Sequence, residues 1–236
     1  MLSPDAKTQE EFWASGDKDV RLLAEFGNLS FVDGLGVDFG CGLGRLTRGL
    51  RFLTSRQLGV DISEEMIEKA KASNLDYPTV GFSLIKETDW PVTDSSASVA
   101  ISLLVFNHLS SLELMEHSIK EMGRALKKGG KAVFVIQTMT TRGEILGYLK
   151  KMIGNRNPSQ SVPPKIREKL LGASQGQKVE FSENEIMKDM LQLEFRRTKS
   201  IPLRRAKQAL RMGGLHLYRI FRNKKDGATM IAAEKI

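Results

Sequence analysis

Short apolar runs alternate with segments of helical periodicity along most of the chain. The runs predict buried strands near residues 33–39, 57–61, 80–85, 98–105 and 131–137, and the periodic segments predict helices near 43–53, 64–73 and 111–127. Ser63 and Ser110 precede two of these helices and are typical N-cap residues. Such an alternation favours a parallel sheet with helices on both faces, in which ligands bind at the carboxyl ends of the strands.

The two ends of the chain extend this pattern. A periodic segment predicts an N-terminal helix near 18–26. Beyond Gln137 we predict helices near 141–153 and 164–172, a capped helix that starts near Phe181, and two strands at Phe195–Ile201 and Ala228–Lys235. These two strands complete a seven-stranded sheet. The basic stretch Leu203–Lys225 lies between them, and Gly213-Gly214 is expected to break its helix.

The fold class predicted is α/β, with a Rossmann-like, mostly parallel seven-stranded sheet. A length of 236 residues fits one domain better than two. We divide that domain, 1–236, into an N-terminal helical cap (1–30), a cofactor-binding core (31–140) and a C-terminal part with substrate-side helices and the last two strands (141–236). No run of eighteen apolar residues, no secretion signal and a single cysteine predict a cytoplasmic protein without a transmembrane segment.

Charge is distributed unevenly around a net value of +8. The segment 142–225 contains 20 Lys+Arg and 7 Asp+Glu, a balance of +13, whereas the rest contains 16 and 21, a balance of −5. A solvated helix face is the ordinary explanation of such a basic stretch. A patch for an anionic substrate or RNA, or for peripheral contact with a membrane surface, is the alternative.

A glycine-rich turn carries the main candidate chemistry. The run Val37–Gly44 has glycines at every second position, 40, 42 and 44, directly after a predicted strand. Glycines let a backbone turn tightly and approach a ligand, and the helix that follows directs free N–H groups into the turn. Asp61 ends the next strand, where a carboxylate can hold two ribose hydroxyls. The pattern therefore predicts a site for an adenosine-containing cofactor.

Two cofactor classes compete for this turn. Dinucleotide sites favour G-x-G-x-x-G, and Arg45 occupies the position of their third glycine. Asp38 places a negative charge near the turn, which disfavours a pyrophosphate and suits an ammonium group. S-adenosyl-L-methionine has an ammonium group and no phosphate, so the residues favour it.

Four segments together resemble the class I S-adenosylmethionine-dependent methyltransferases, of the type that includes the ubiquinone and menaquinone biosynthesis enzymes. They are Val37–Gly44, Gly59–Ile62, Val99–Leu109 and Glu121–Lys131, the last with the family's L-K-x-G-G turn. The resemblance implies a seven-stranded Rossmann-like fold whose last strand runs antiparallel between its neighbours. It covers about residues 32–137.

The resemblance also implies a set of cofactor-binding residues. Asp38, Gly40, Gly42 and Gly44 would frame the methionine end, Cys41 would line the pocket, Asp61 would hold the ribose, and Ile62 would pack on adenine. The family commonly has an acidic residue after the third strand for the adenine amino group, but Lys86 stands at that position here. Glu87, Asp89 or Thr88 is expected to replace it, and Leu103 would lie nearby. We predict no metal ligands.

Catalysis of methyl transfer can come largely from positioning, because the sulfonium methyl is already activated. His108, just past the fourth strand, is the candidate base, and a structural role in its loop is the alternative. Phe12 and Trp13 would either form part of a lid over the cofactor or fix the N-terminus to the sheet. Trp90 would either flank adenine or pack in the core.

The function predicted is methyl transfer to an oxygen or nitrogen of a small or medium-sized acceptor. An RNA- or ribosome-directed methyltransferase that uses the basic C-terminal third is an alternative, and a non-catalytic S-adenosylmethionine-binding subunit is another. Methylation of DNA bases is disfavoured, because Val105–His108 is not the Asn/Asp-Pro-Pro-aromatic tetrad of such enzymes.

Overall fold

The computed structural model of the protein describes residues 8–86, 88–139, 200–222 and 228–236. The strands are β1 (Val32–Phe39), β2 (Thr54–Asp61), β3 (Val80–Leu84), β4 (Ala97–Ser102), β5 (Leu126–Met139), β6 (Ser200–Pro202), β7 (Leu215–Arg222) and β8 (Ala228–Lys235). The α-helices are α1 (Gln9–Gly27), α2 (Arg45–Gly49), α3 (Glu64–Ser73), α4 (Leu112–Ala125) and α5 (Leu203–Met212), and two 3-10 helices span Leu50–Phe52 and Phe106–His108. None of these helices combines the length and apolarity needed to cross a bilayer.

One mixed sheet organises the fold, with strand order β3-β2-β1-β4-β5-β8-β7. Strands β1 to β5 pair in parallel, and β8 runs antiparallel between β5 and β7. This is the Rossmann-like class predicted from the sequence, with the antiparallel last strand in the expected place. The carboxyl ends of β1, β2 and β4 meet at one edge of the sheet, where the glycine turn, Asp61 and His108 follow them.

The strand beside β8 is not the one predicted from the sequence. The strand that flanks β8 is Leu215–Arg222, which we had included in a basic inter-strand segment. The described end of the predicted strand, Ser200–Pro202, forms the short β6 and pairs only with the last residues of β5. The predicted elements near 141–153, 164–172 and Phe181, and most of Phe195–Ile201, lie outside the described residues.

Each face of the sheet has its own hydrophobic core. On one face α4 and α5 pack against β4, β5 and β8 through side chains such as Met115, Ile119 and Leu210. On the other face α1 and α2 cover the sheet through Val20, Leu23 and neighbouring residues. The sheet is therefore buried on both sides, which fits the apolar runs of β1, β4 and β5.

Helix α1 is longer than predicted, because it starts in a capping box. Thr8 accepts a hydrogen bond from the Glu11 N–H, and the Glu11 carboxylate accepts one from the Thr8 N–H. Phe12 is buried, and the Arg48 guanidinium lies over both the Trp13 and Tyr77 rings at 4.9 and 4.2 Å. These contacts fix α1 to α2 and to the loop after α3, which favours fixation of the N-terminus over a lid.

Helix α2 is shorter than predicted. Only Arg45–Gly49 is α-helical, and Leu50–Phe52 continues as a 3-10 turn. A helix of five residues has a small macrodipole, so the backbone of the glycine turn contributes more to a ligand site than a helix terminus does.

Candidate active site

The glycine turn after β1 folds back onto β2. The N–H groups of Gly40 and Cys41 both donate to the Val60 carbonyl, at 2.8 and 3.1 Å. The Gly42 N–H donates to the Asp61 carboxylate at 2.9 Å. Gly42 has a φ of 52°, and a Cβ placed there would have no atom within 4 Å. Gly42 therefore faces open space at the carboxyl edge of the sheet, and we call the space above Gly40, Gly42 and Asp61 the crevice.

Asp38 lies beneath this turn with 1% of its surface exposed. The Thr47 hydroxyl donates to its Oδ2 at 2.7 Å, while Oδ1 has no hydrogen-bond partner within the described ranges. Burial raises the pKa of Asp38 to about 6, although the Thr47 hydrogen bond and Arg45 partly oppose this shift. A buried carboxylate oxygen left unsatisfied in this way takes a further donor, either a cationic group or a water molecule.

Asp61 connects the turn to the start of α3. Its Oδ2 accepts the Gly42 N–H, and its Oδ1 accepts the Ser63 N–H, each at 2.9 Å. An ionised carboxylate offers about four acceptor positions, so about two remain for hydroxyl donors. Ile62 follows with 69% of its surface exposed, which is unusual for isoleucine. An acceptor for hydroxyls and an exposed apolar side chain thus adjoin each other at the end of β2.

The residues predicted around adenine are only partly described. Glu87 lies outside the described residues. Lys86 forms a single antiparallel bridge with Asp89, and the Thr88 hydroxyl donates to the Asp89 carboxylate at 3.4 Å in an exposed position. Leu103 is half-buried and packs on the α1 side of the sheet. Which of these residues meets adenine stays a prediction.

Trp90 packs in the core. Its ring is 4% exposed and stacks on Phe39 with centroids 4.4 Å apart. Phe106 contacts both Phe39 and Phe134, at 5.8 and 5.5 Å between centroids. These aromatic rings support the carboxyl edge of the sheet from below, so a flanking role of Trp90 at adenine is not favoured.

His108 lies on the 3-10 helix that follows β4. Because Phe106 of that helix is fully buried, the helix is held in place while the His108 side chain is exposed. The His108 ring makes no side-chain hydrogen bond to any residue that the structure describes. It is therefore available to an acceptor at this edge, and its role as a base stays a prediction.

Cys41 is buried inside the turn, and its thiol contacts the Gly42 carbonyl at 3.7 Å. Burial, together with the charges of Asp38 and Asp61, raises the pKa of this thiol far above its ordinary value. Cys41 is thus a packing residue of the pocket wall, and a reactive thiol is not favoured.

A polar network that the sequence pattern does not predict lies beneath the loop between β3 and β4. Arg124 bonds both oxygens of Glu121, the carbonyls of Trp90 and Val92, and the Asp94 carboxylate. Asp89, His117 and Glu121 each place one possible metal ligand within 4.8 Å of the others. Since Arg124 already satisfies Glu121, this grouping is better explained as a structural network that fixes the loop. The i, i+3 spacing of Glu121 and Arg124 was the only local signal.

Comparison with known proteins agrees with this geometry. Residues 37–134 match a family described as "Methyltransferase domain". A protein of Encephalitozoon cuniculi, provisionally named as a methyltransferase, is 31% identical over 102 residues, which cover 42% of this chain and 43% of that protein. The match thus spans under half the length of this curated relative.

Solved structures extend the similarity over nearly the whole chain. A protein of Pyrococcus horikoshii OT3 has a TM-score of 0.60 at 18% identity, and 98% of this chain and 94% of that chain are covered. The geranyl diphosphate C-methyltransferase of Streptomyces coelicolor A3(2) has a TM-score of 0.58 at 14% identity, with coverage of 99% and 88%. A chain from the complex of Haloferax volcanii Trm112 methyltransferase activator with a methyltransferase has a TM-score of 0.56 at 16% identity, with coverage of 98% and 99%.

At such low identity these structures establish the fold. Together with the strand order and the glycine turn, they define the class: residues 37–134 match a methyltransferase domain, and the chain has the Rossmann-like fold of the methyltransferases among these structures. The family resemblance stated from the sequence is therefore confirmed at the level of the domain.

Proposed function

We propose that the protein binds S-adenosyl-L-methionine in the crevice above the glycine turn and transfers its methyl group to an oxygen or nitrogen of a small or medium-sized acceptor. The observation that supports this most is the unsatisfied Oδ1 of the buried Asp38. An ammonium group is the kind of partner that would satisfy it, and the methionine part of this cofactor has one.

The other crevice residues fit the rest of the cofactor. Asp61 has acceptor positions left for two ribose hydroxyls, and the exposed Ile62 offers an apolar surface for adenine. Gly42 leaves space for the ligand close to the backbone. When bound, the cofactor supplies an electrophilic methyl group that needs no further activation.

The protein's contribution to the transfer is then mainly positioning and shielding from water. The end of β4 and the 3-10 helix after it would orient the acceptor. His108 would take a proton from an acceptor whose pKa is high, and would be dispensable for one that is already a nucleophile. A small-molecule acceptor is in keeping with the geranyl diphosphate methyltransferases among the structural neighbours.

Two alternatives have their own readouts. An RNA-directed methyltransferase is favoured by one observation, the basic outer face of α5 described in the next subsection. A non-catalytic subunit would bind the cofactor but would transfer no labelled methyl group to any fraction of a cell lysate.

Calorimetric titration of S-adenosylmethionine tests the proposal. We expect Asp61→Ala to weaken binding about 100-fold, because two hydrogen bonds to a charged acceptor are lost. Asp76→Ala, which removes an exposed carboxylate outside the crevice, is the matched control and should bind as the wild type does. Equal affinity of the wild type and Asp61→Ala would refute the assignment of the crevice.

Binding should also depend on pH through Asp38. Its pKa of about 6 means that the carboxylate is largely ionised at neutral pH and protonated below. Since an ammonium group pairs with the ionised form, we expect affinity about tenfold lower at about pH 5 than at about pH 7.5. Asp38→Asn should bind more weakly and show no such change between these two values.

Stability should change in the opposite direction. The pKa of Asp38 in the folded, ligand-free protein lies above its ordinary value of 3.8. Protonation therefore stabilises the fold, and this contribution is lost as the pH rises from 3.8 through about 6. Tighter binding of the cofactor at about pH 5 than at about pH 7.5 would contradict this account of Asp38.

A further inference from the structure

Helix α5 presents a row of three cations to solvent. Arg204, Lys207 and Arg211 follow one another at i, i+3 and i+7, and all three side chains are exposed. On an α-helix these positions span about 10 Å of the axis and fall within about 60° of the circumference. We call this set the cation row.

The cations of the row are unpaired within the described part of the chain. No hydrogen bond or ion pair joins Arg204, Lys207 or Arg211 to any of the residues that the structure describes. Arg205, on the same helix, differs: its guanidinium bonds both oxygens of Glu116 at 2.6 and 3.0 Å. Among the described residues, one cation of α5 is thus paired with a carboxylate, and the three of the row are not.

The helix that carries the row is held firmly. Ala206, Ala209 and Leu210 on its opposite side are buried in the core next to α4. At its end, the backbones of Gly213 and Gly123 approach so closely that a Cβ on Gly123 would lie 2.1 Å from the Gly213 oxygen. The backbone that carries the row is thus held in place, so binding costs the rotamer freedom of the three side chains and not the ordering of the helix.

The row begins at the edge of the sheet where the crevice lies. Strand β6, directly before α5, runs parallel to β5 and ends beside Met139, the last residue of β5. After α5, β7 starts at Leu215, which pairs with Lys235 near the opposite edge. A chain bound along α5 would therefore reach the carboxyl edge of the sheet at its Arg204 end.

We propose that the cation row docks the phosphate backbone of a single-stranded RNA. Three exposed cations in line complement a linear polyanion. A membrane surface fits less well, because the apolar side of α5 is used for packing on the core and is not free to enter lipid. Methylation of DNA bases is disfavoured by the lack of the base-methylating tetrad at Val105–His108.

Fluorescence anisotropy with a labelled oligouridine of about 16 nucleotides tests this docking. For single-stranded nucleic acids, the logarithm of the binding constant falls by about 0.7 per contacted phosphate for each tenfold rise in salt concentration. We call the total fall the salt slope. We expect the triple variant Arg204→Gln/Lys207→Gln/Arg211→Gln to lower the salt slope by about 2, and the affinity about 100-fold at about 100 mM salt. An unchanged slope would refute the docking.

A second triple variant separates the row from net charge. Lys71→Gln/Lys127→Gln/Lys128→Gln removes three exposed cations elsewhere and should keep the wild-type slope. An equal loss in both variants would mean that total charge, not the row, governs binding. Row-dependent binding to phosphatidylserine vesicles without binding to oligouridine would assign the surface to lipid and overturn the proposal.

The docking and the cofactor site can fail independently. The row lies outside the crevice, so the row variant should keep wild-type affinity for S-adenosylmethionine and its thermal midpoint. If the wild-type protein does not bind S-adenosylmethionine, the proposed function is refuted, but the result for oligouridine binding is unaffected. If the triple variant is less stable than the wild type, the single variant Lys207→Gln replaces it. That variant should lower the salt slope by about 0.7.

Discussion

Replacing Gly40 with alanine is expected to lower the free energy of unfolding by about 4 kcal/mol. Gly40 has a φ of 72°, a region that costs an L-residue about 1–2 kcal/mol. A Cβ there would also lie 2.3 Å from a methyl carbon of Val105, the residue before the 3-10 helix of His108. The new methyl group would push this loop away from the end of β1, so strain and overpacking add.

Gly42→Ala is the matched comparison two residues further along. Its φ of 52° carries a similar backbone cost, but a Cβ there has no atom within 4 Å. We therefore expect a loss of only about 1–2 kcal/mol in stability. Because this Cβ would point into the crevice, the main effect of Gly42→Ala should be a lower affinity for the cofactor.

Urea unfolding and cofactor titration together distinguish the two variants. Gly40→Ala should shift the unfolding midpoint strongly, and Gly42→Ala should mainly reduce binding. Equal stability losses would show that the Gly40 to Val105 approach has little energetic weight. Full cofactor affinity in Gly42→Ala would mean that the ligand does not pass close to this part of the turn.

The core of the candidate site could be predicted because its signals are local. Alternate glycines after an apolar run, and a carboxylate at the end of the next strand, define the turn and Asp61 within one β-α-β unit. The partner of Asp38 could not be predicted. Thr47 reaches the carboxylate only because α2 starts at Arg45, and residue spacing alone does not give that direction.

The misplaced sixth strand has a physical cause. Leu215–Arg222 would alternate between the two faces of the sheet, but its register shifts between Leu217 and Arg219. A bulge breaks the period of two on which strand prediction depends. The arginines at 219 and 222 further resemble the basic helix before them, although Arg219 donates to the Phe26 carbonyl and Arg222 to the Thr138 carbonyl.

Helix α1 was predicted too short for a related reason. Gly16 is a weak helix former and interrupts the apolar pattern. In the structure a Cβ on Gly16 would lie 2.3 Å from the Arg45 carbonyl oxygen, so glycine is needed where α1 crosses α2. Tertiary contacts of this kind override local propensity, and residue spacing does not show them.

Gly123→Ala is expected to destabilise the protein by about 4 kcal/mol, although the same change usually stabilises a helix by about 1 kcal/mol. Gly123 lies in α4, and a Cβ there would be 2.1 Å from the Gly213 carbonyl oxygen and 2.8 Å from its Cα. Both atoms belong to backbone. The Gly213 N–H and oxygen are already bonded to the end of α5 and to Lys235, so neither can move cheaply.

The control is Gly129→Ala, where a Cβ has no atom within 4 Å and a φ of 76° costs about 1–2 kcal/mol. Urea unfolding should give a loss at Gly123 at least twice that at Gly129. A loss below that of Gly129→Ala would mean that α4 and the turn after α5 are further apart than described. Because the turn positions α5, Gly123→Ala should also weaken oligouridine binding. The cation row keeps all three charges in this variant, so the loss would report the position of the row and not its charge.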